Sequence, residues 1–453
     1  MGFDSPVAEA IVAIGHLVVW VAIFNRMHAT AIPRWTKKLG ERIIYLLVAG
    51  IGLTVLASDL ARWAPERVAS ASASIPTTFL GLPAVPSAIG IDLPAFVLSP
   101  PVLAFARLYR PLCFIAALAA LVRRLWWIVA LRRPAEFRIG ERQRHDAVSG
   151  RTRSLGSLDQ GPSEEAVRGE GTVSPSSSAE ALSFPARPIA HWCGDALTRA
   201  VAALPLNQLL EIEVNRKELR SARLPAAFDG LSIVHVSDFH LTGRMTRAFY
   251  ERIAELAAPL DPDVVVLAGD IVDRAHCLDW IGPIFASWRA REDRLFVLGN
   301  HDKRIADDRE IRGRMSAAGW IDVAGKRLER QRGASRLVWS GNELPWYRGA
   351  ERLERRPVRD DEYRILLSHA PDQVDFAIEH GFDLVLAGHT HGGQIRVPLI
   401  GPIVSPSHYG PKFASGEFRV GPTRMHVSRG VAGTHPIRLA CSPEITKLTL
   451  RRG

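Results

Sequence analysis

Five short blocks rich in Asp, Asn and His stand in the carboxyl-terminal half of the chain. They are Ser-Asp-Phe-His at 237–240, Gly-Asp-Ile-Val-Asp at 269–273, Gly-Asn-His-Asp at 299–302, Ser-His at 368–369 and Gly-His-Thr-His at 388–391. Carboxylate, amide and imidazole groups are the oxygen and nitrogen ligands of hard-to-borderline divalent cations. Asp238 and His240 are two apart, as are His389 and His391, and alternate side chains of an extended chain share a face. Each pair can therefore reach one cation. Asp270 follows a glycine that lets the backbone turn closely, and its two carboxylate oxygens can bridge two cations. Asn300 adds a neutral carbonyl oxygen and His369 a further imidazole. Counted together, these residues make one site of Asp238, His240, Asp270 and His391 and another of Asp270, Asn300, His369 and His389. Two adjacent cations would clamp a phosphoryl oxygen and generate a bridging hydroxide near neutral pH. The set contains no thiolate, which leaves manganese, iron and zinc open.

Each block stands where an apolar, β-branched run stops. Runs at 233–236, 264–268, 295–298, 365–367 and 384–387 read as strands. Phe249, Ile253, Leu256 and Leu260 recur at helical spacing, and 280–288 is a further helix candidate. Strand alternating with helix predicts an α/β domain whose ligands collect at the carboxyl ends of the strands. The tail, 416–450, has short strands without helices between them, which predicts a second sheet packed on the first. His235, inside a strand, reads as a core or sheet-face residue, and Trp346 as core in preference to cleft. Arg396 and Arg429 suit either substrate phosphate or a structural role.

These blocks resemble those of the calcineurin-like metallophosphoesterases. Val-Ser-Arg-Gly-Val-Ala-Gly at 427–433, Pro-Ile-Arg-Leu at 436–439 and Ser-Pro-Glu-Ile at 442–445 are similar to the membrane-associated bacterial branch called YkuE-like. The likeness covers about 209–453 and includes Leu-Pro-Ala-Ala-Phe-Asp-Gly at 224–230. It implies a four-layer α/β/β/α sandwich, with Asp238, His240, Asp270, Asn300, His369, His389 and His391 as ligands of two metal ions. It also implies His301 as proton donor to the leaving oxygen, a role suited to an imidazole near neutral pH. Asp273 and Asp302 would be carboxylates that orient the ligands. The family includes enzymes that cleave a nucleotide-linked diacyl sugar in lipid A synthesis, although no aliphatic acyl-binding insertion is evident between 302 and 363.

The chain has 453 residues, more than one domain usually holds, and a net charge of +10. Cys113, Cys193, Cys277 and Cys441 are far apart with no Cys-x-x-Cys pair, which argues against a disulfide framework or a thiolate zinc site. Residues 7–25 and 43–58 are apolar enough to span a bilayer with tilt, which takes roughly 20 residues. A third run lies within 95–131, and Pro-rich 80–101 reads as irregular or re-entrant. Arg26, Arg34, Lys37, Lys38 and Arg42 separate the first two runs, against only Arg62 and Arg67 in the next loop. The positive-inside rule then puts the catalytic domain in the cytoplasm. Residues 135–190, rich in Arg, Ser and Gly, are expected to lack fixed structure. Nucleic acid is a disfavoured partner, because no aromatic residues interleave with these arginines.

The expected organisation is a membrane region of about three helices at 1–134, a linker at 135–204 and a catalytic domain at 205–453. The expected activity is that of a phosphohydrolase of the bacterial inner membrane, acting on a phosphodiester or pyrophosphate bond in a lipid-linked substrate. The alternatives are a general phosphodiesterase acting on nucleotides or nucleic acid, and a non-catalytic membrane scaffold or sensor.

Overall fold

A computed structural model describes residues 6–29, 39–40, 42, 78–79, 82–83, 109, 111–119, 122, 178–184, 187–305, 307–397 and 401–453. The chain divides into two units, Met1–Trp127 with Ile403–Lys412, and Ile128–Pro402 with Phe413–Gly453.

In the first unit, α1 (Pro6–Ala29) covers the first expected span. His16 and Trp20 on this helix both bond the Tyr109 hydroxyl, at 2.8 and 3.1 Å. Among the described residues no helix is long and apolar enough to cross a membrane. The expected three-span region is therefore not supported. Glu9, His16, Asn25 and Arg26 interrupt the apolar run of α1. The second span, 43–58, lies outside the described residues, as does most of the third, of which 111–119 are helical.

The second unit contains two mixed sheets. Its strands are β1 (Ser178–Ser183), β2 (Glu211–Ser221), β3 (Ser232–Val236), β4 (Val264–Ala268), β5 (Asp293–Val297) and β6 (Ile321–Asp322). Then follow β7 (Arg327–Arg332), β8 (Ser335–Asn342), β9 (Glu362–Ser368), β10 (Leu384–Ala387), β11 (Gly416–Val420), β12 (Thr423–Val427) and β13 (Glu444–Arg452). The first sheet runs β1-β2-β13-β3-β4-β5-β6 and the second β11-β12-β10-β9-β8-β7. From β3 to β6 neighbouring strands are parallel, as are β8, β9, β10 and β12, so each of these sets ends at one common edge.

Strand alternation decides which side chains meet. Ile233, Val264, Val266 and Leu295 pack with Trp339, Ile365, Leu367, Leu384 and Leu386 in a core between the two sheets. Val234, Val236, Val265, Leu267 and Phe296 turn the other way, into a second core. This one is shared with α3 (Arg247–Ala257), α4 (Ile281–Ala286) and α5 (Asp308–Ala317). Helix α3 buries Phe249, Tyr250, Ile253, Ala254 and Ala257 along one stripe, and burial of each large side chain contributes about 2 kcal/mol. Pro259, in the 3₁₀ turn Ala258–Leu260, ends it. Another helix, α6 (Val374–Glu379), lies against β12.

One polar pair interrupts the core between the sheets. His235 on β3 and His426 on β12 are fully buried and face each other, Nδ1 to Nδ1, at 2.9 Å. One ring donates and the other accepts. The reading of His235 as a core residue fits this position.

Two features differ from expectation. The tail was to form the second sheet, yet β13 enters the first, between β2 and β3, because its nine residues bond both neighbours: β2 in parallel and β3 in antiparallel register. Only β11 and β12 join the second sheet. The stretch expected as linker is also ordered at its carboxyl end. β1 adds to the free edge of β2, and α2 (Ala196–Ala202) is capped by Asp195, whose carboxylate accepts from the Thr198 amide at 2.8 Å. Composition misses such edge pairing because main-chain bonds to β2 hold it. The four cysteines are free and buried.

Candidate metal centre

The loops after β3, β4 and β5 meet those after β9, β10 and β12 at the shared edge of the two sheets. Asp238 and His240 follow β3, Asp270 follows β4, Asn300 follows β5, His369 follows β9, and His389 and His391 follow β10. Between them they form two clusters. In one, His240 Nε2 lies 3.4 Å from Asp270 Oδ2, 4.0 Å from Asp238 Oδ1 and 3.0 Å from His391 Nε2. In the other, His369 Nε2 lies 3.4 Å from Asp270 Oδ1, 3.0 Å from Asn300 Oδ1 and 3.1 Å from His389 Nδ1. Asp270 turns one oxygen toward each cluster. Asp238, His240, Asp270, His369 and His389 are all buried.

The backbone reaches this arrangement by a route that the spacing argument did not foresee. Asp238, His240, Asp270, His389 and His391 have φ of 55°, 48°, 53°, 73° and 52°. The two-apart pairs are thus in left-handed loops, not extended segments, and the side chains converge by turning. Such a conformation costs a non-glycine residue on the order of 1 kcal/mol or more and persists only where surrounding structure imposes it. Here cross-strand bonds impose it: Asp238 N to Gly269 O at 3.0 Å, His240 N to Asp270 O at 2.9 Å, and His389 N to the Asp238 carboxylate at 3.1 Å. Gly299 permits the closest approach, since a Cβ there would stand 2.2 Å from Asp270 Oδ1.

The partners of the imidazoles fix their tautomers. His240 Nδ1 bonds Asp273 Oδ2 at 2.7 Å, His369 Nδ1 bonds Ala268 O at 2.8 Å, and His391 Nδ1 bonds Ala432 O at 3.2 Å. Each Nδ1 proton is held by an oxygen, so each Nε2 presents a lone pair. In the first cluster two such lone pairs then face each other at 3.0 Å. Neutral imidazoles do so favourably only with a proton or cation between them. The donor set therefore fits a divalent cation at each cluster, and the nitrogen and oxygen composition matches Mn, Fe or Zn.

Asp273 also receives His301 Nδ1 at 2.6 Å and Arg304 Nη1. Burial opposes its ionisation, but His240 and His301 outweigh burial and hold its carboxyl well below the usual range. Asp270 is likewise held low by His369, His301 and His240 against its burial. Burial pushes His301 below the ordinary imidazole value, against the pull of Asp270 and Asp273. Asp302 is fully buried. It accepts from the amides of Gly299, Ile271 and Val272 at 2.7, 2.9 and 2.9 Å and ties the second and third blocks together.

Three further residues shape the centre. Trp346 sets its ring 5.2 Å from His369 and 5.0 Å from His389, so it walls the second cluster while being only 8 % exposed. Arg438 is wholly buried and donates to the carbonyls of His391, Arg429 and Ala432, which sets the turn that carries His391. The sequence contained Arg438 in its Pro-Ile-Arg-Leu run, but nothing in its type or spacing announced three carbonyl partners. Arg429 is clamped by Glu213 and Glu444 at 2.8 and 2.9 Å, which is the structural role.

Clusters of His and Asp that could hold divalent cations, at the carboxyl edge of two packed sheets, are what a metal-dependent phosphoesterase, a hydrolase, requires. The model of the calcineurin-like phosphoesterase family matches residues 231–393. The chain is 32 % identical over 250 residues to the uncharacterized metallophosphoesterase YkuE of Bacillus subtilis, covering 53 % of this chain and 86 % of that one. This chain belongs to the calcineurin-like phosphoesterase family. It is also 28 % identical over 261 residues to a transmembrane protein with metallophosphoesterase domain of Danio rerio, covering 52 % of this chain and 56 % of that one. A third relative is the UDP-2,3-diacylglucosamine pyrophosphatase LpxG of Chlamydia muridarum, 24 % identical over 290 residues, 52 % of this chain and 88 % of that one.

Proposed function

We propose that the chain is a membrane-associated, two-metal phosphohydrolase that cleaves a phosphodiester or pyrophosphate bond in a lipid-linked substrate. The observation that carries this reading is Asp270, whose two carboxylate oxygens each lie 3.4 Å from a different imidazole cluster. Asp238, His240, Asp270 and His391 would hold one cation, and Asp270, Asn300, His369 and His389 the other. When bound, a pair of divalent cations polarises a phosphoryl oxygen and makes a nucleophile available near neutral pH. The chain's own groups do the rest. Asp273 keeps the proton of His301 on Nδ1 while that imidazole is neutral; when it is charged, Nε2 carries the proton that passes to the leaving oxygen. Asp273 also orients His240 through its second oxygen. Trp346 keeps water from the flank of the second cluster. The lipid-linked substrate is supported by the activity for which the chlamydial relative is named, and membrane association by the name of the fish relative and the apolar amino-terminal runs.

The test is turnover by the full chain, loaded with manganese, iron or zinc in turn. The panel contains phosphomonoesters, phosphodiesters and nucleotide-sugar pyrophosphates with and without acyl chains. The expected result is hydrolysis of the diester or pyrophosphate class, fastest on acylated members. Hydrolysis confined to monoesters would overturn the substrate class.

A further inference from the structure

One apolar projection stands apart from both cores. Leu197, Leu204 and Leu206 are 61 %, 51 % and 86 % exposed, on α2 and the turn that follows it. Leu206 has a φ of 67°. A turn selected for stability alone would carry glycine or asparagine in that conformation. Here a large apolar residue is both conformationally strained and turned into solvent.

Asn207 fastens this knuckle to the rim of the metal centre. Its amide donates to Val201 O at 2.8 Å and Pro436 O at 3.0 Å, and its carbonyl accepts from Arg438 N at 2.9 Å. Bridges continue from Asn207 to Leu439 and from Leu439 to Ile395, which is 42 % exposed and four residues beyond His391. Main-chain pairing thus links the exposed knuckle to the loop of a candidate metal ligand, where Ile395 is exposed as well. Arg187, Arg199 and Arg396 lie in the same segments. Asp195, the one acid between 187 and 207, is engaged in capping α2. Protein interfaces anchor on Trp, Tyr or Arg seated in pockets. Exposed leucines in segments that also carry arginines suit a fluid, anionic partner.

We propose that the 204–206 knuckle, with Leu197 and Ile395, dips into an anionic bilayer surface and seats the mouth of the metal centre against the headgroups. This rests on the membrane association proposed above. A lipid-linked phosphoester could then be drawn to the centre without leaving the bilayer.

Because all four cysteines are buried, Leu206→Cys takes an environment-sensitive fluorophore selectively. The labelled full chain is reconstituted with phosphatidylglycerol–phosphatidylethanolamine vesicles, with or without quencher-bearing acyl chains, and floated on a gradient. Ala334→Cys, in the exposed turn between β7 and β8, is the control. The expected result is flotation with a blue-shifted label at 206 that the lipid quencher dims, as burial at the acyl boundary requires, and an unaffected label at 334. Flotation with an unshifted, unquenched label at 206 overturns the seating while leaving membrane association intact. A blue shift without lipid quenching overturns it in favour of contact with protein. A chain that does not float removes the membrane association and the seating together. The phosphoesterase chemistry is untouched by any of these outcomes.

Discussion

Acid should loosen the junction between the two sheets, and the histidine pair that joins them sets the size of the effect. His235 is wholly enclosed, and burial, helped by Lys217 and opposed by Glu444, lowers its pKa from 6.5 to about 4. Burial, with Lys217, His235 and Arg429 adding repulsion, pushes His426 down as well. The folded chain therefore keeps both rings neutral where the unfolded chain protonates them. Stability is then greatest above pH 6.5 and falls as pH drops through the window down to about 4, because the unfolded state binds more protons there. For His235 alone the shift amounts to about 3 kcal/mol across that window, at 1.36 kcal/mol per pH unit. His426 adds to it with the same sign. Carboxylates and the metal centre also titrate, so the comparison must be differential. The double variant His235→Asn/His426→Asn keeps a hydrogen-bonding pair but removes the titration. Urea unfolding of both proteins between pH 7 and 4 should show the wild type losing more than the variant by at least the His235 share of about 3 kcal/mol. Parallel stability curves would refute the reasoning.

Three further outcomes are expected. Asp270→Ala should lose both metals together and with them turnover, read by elemental analysis beside the assay; two metals in an active variant would remove Asp270 as the shared ligand. His301→Ala should retain both metals but turn over roughly 100- to 10,000-fold more slowly. That deficit should shrink for nitrophenyl leaving groups, and an equal deficit for good and poor leaving groups would argue for charge stabilisation instead. Arg438→Met keeps the bulk but takes the donor from Arg429 O and one of the donors from His391 O and Ala432 O, which retain Gln394 N and His391 Nδ1, so it should cost roughly 1 to 3 kcal/mol of stability. It should also weaken one metal equivalent, on the His391 side, more than the other in a chelator titration; equal weakening of both would mean a purely global effect.

Much of the site was legible because its chemistry needs particular residue types at strand ends. Aspartate and asparagine favour turns on their own account, but their recurrence together with histidine after five apolar runs is the pattern of a ligand set, and Val264–Ala268 and Leu384–Ala387 appear at the bounds their sequences suggested. What stayed hidden was carried by the backbone. Alternation in an extended chain gave the right grouping for Asp238 with His240 and for His389 with His391, but by the wrong geometry, since left-handed φ values are set by neighbouring loops. Edge strand β7, Arg-Leu-Glu-Arg-Gln-Arg, has too little apolar content to announce itself and is specified by its pairing with β8. Trp346 read as core because burial and lining the centre look alike in sequence; it does both. The amino-terminal runs satisfied a length criterion, but hydropathy says nothing of how such segments are arranged.

The central place of β13 bears on when the protein becomes active. Its residues, Glu444–Arg452, leave the ribosome after every ligand of the metal centre has been made, yet they lie between β2 and β3 in the first sheet. Until they emerge, β3, which leads into Asp238 and His240, lacks one of its two neighbours, and Glu444 is not there to clamp Arg429. The nascent chain therefore exposes all seven prospective ligands before the frame that aims them has closed.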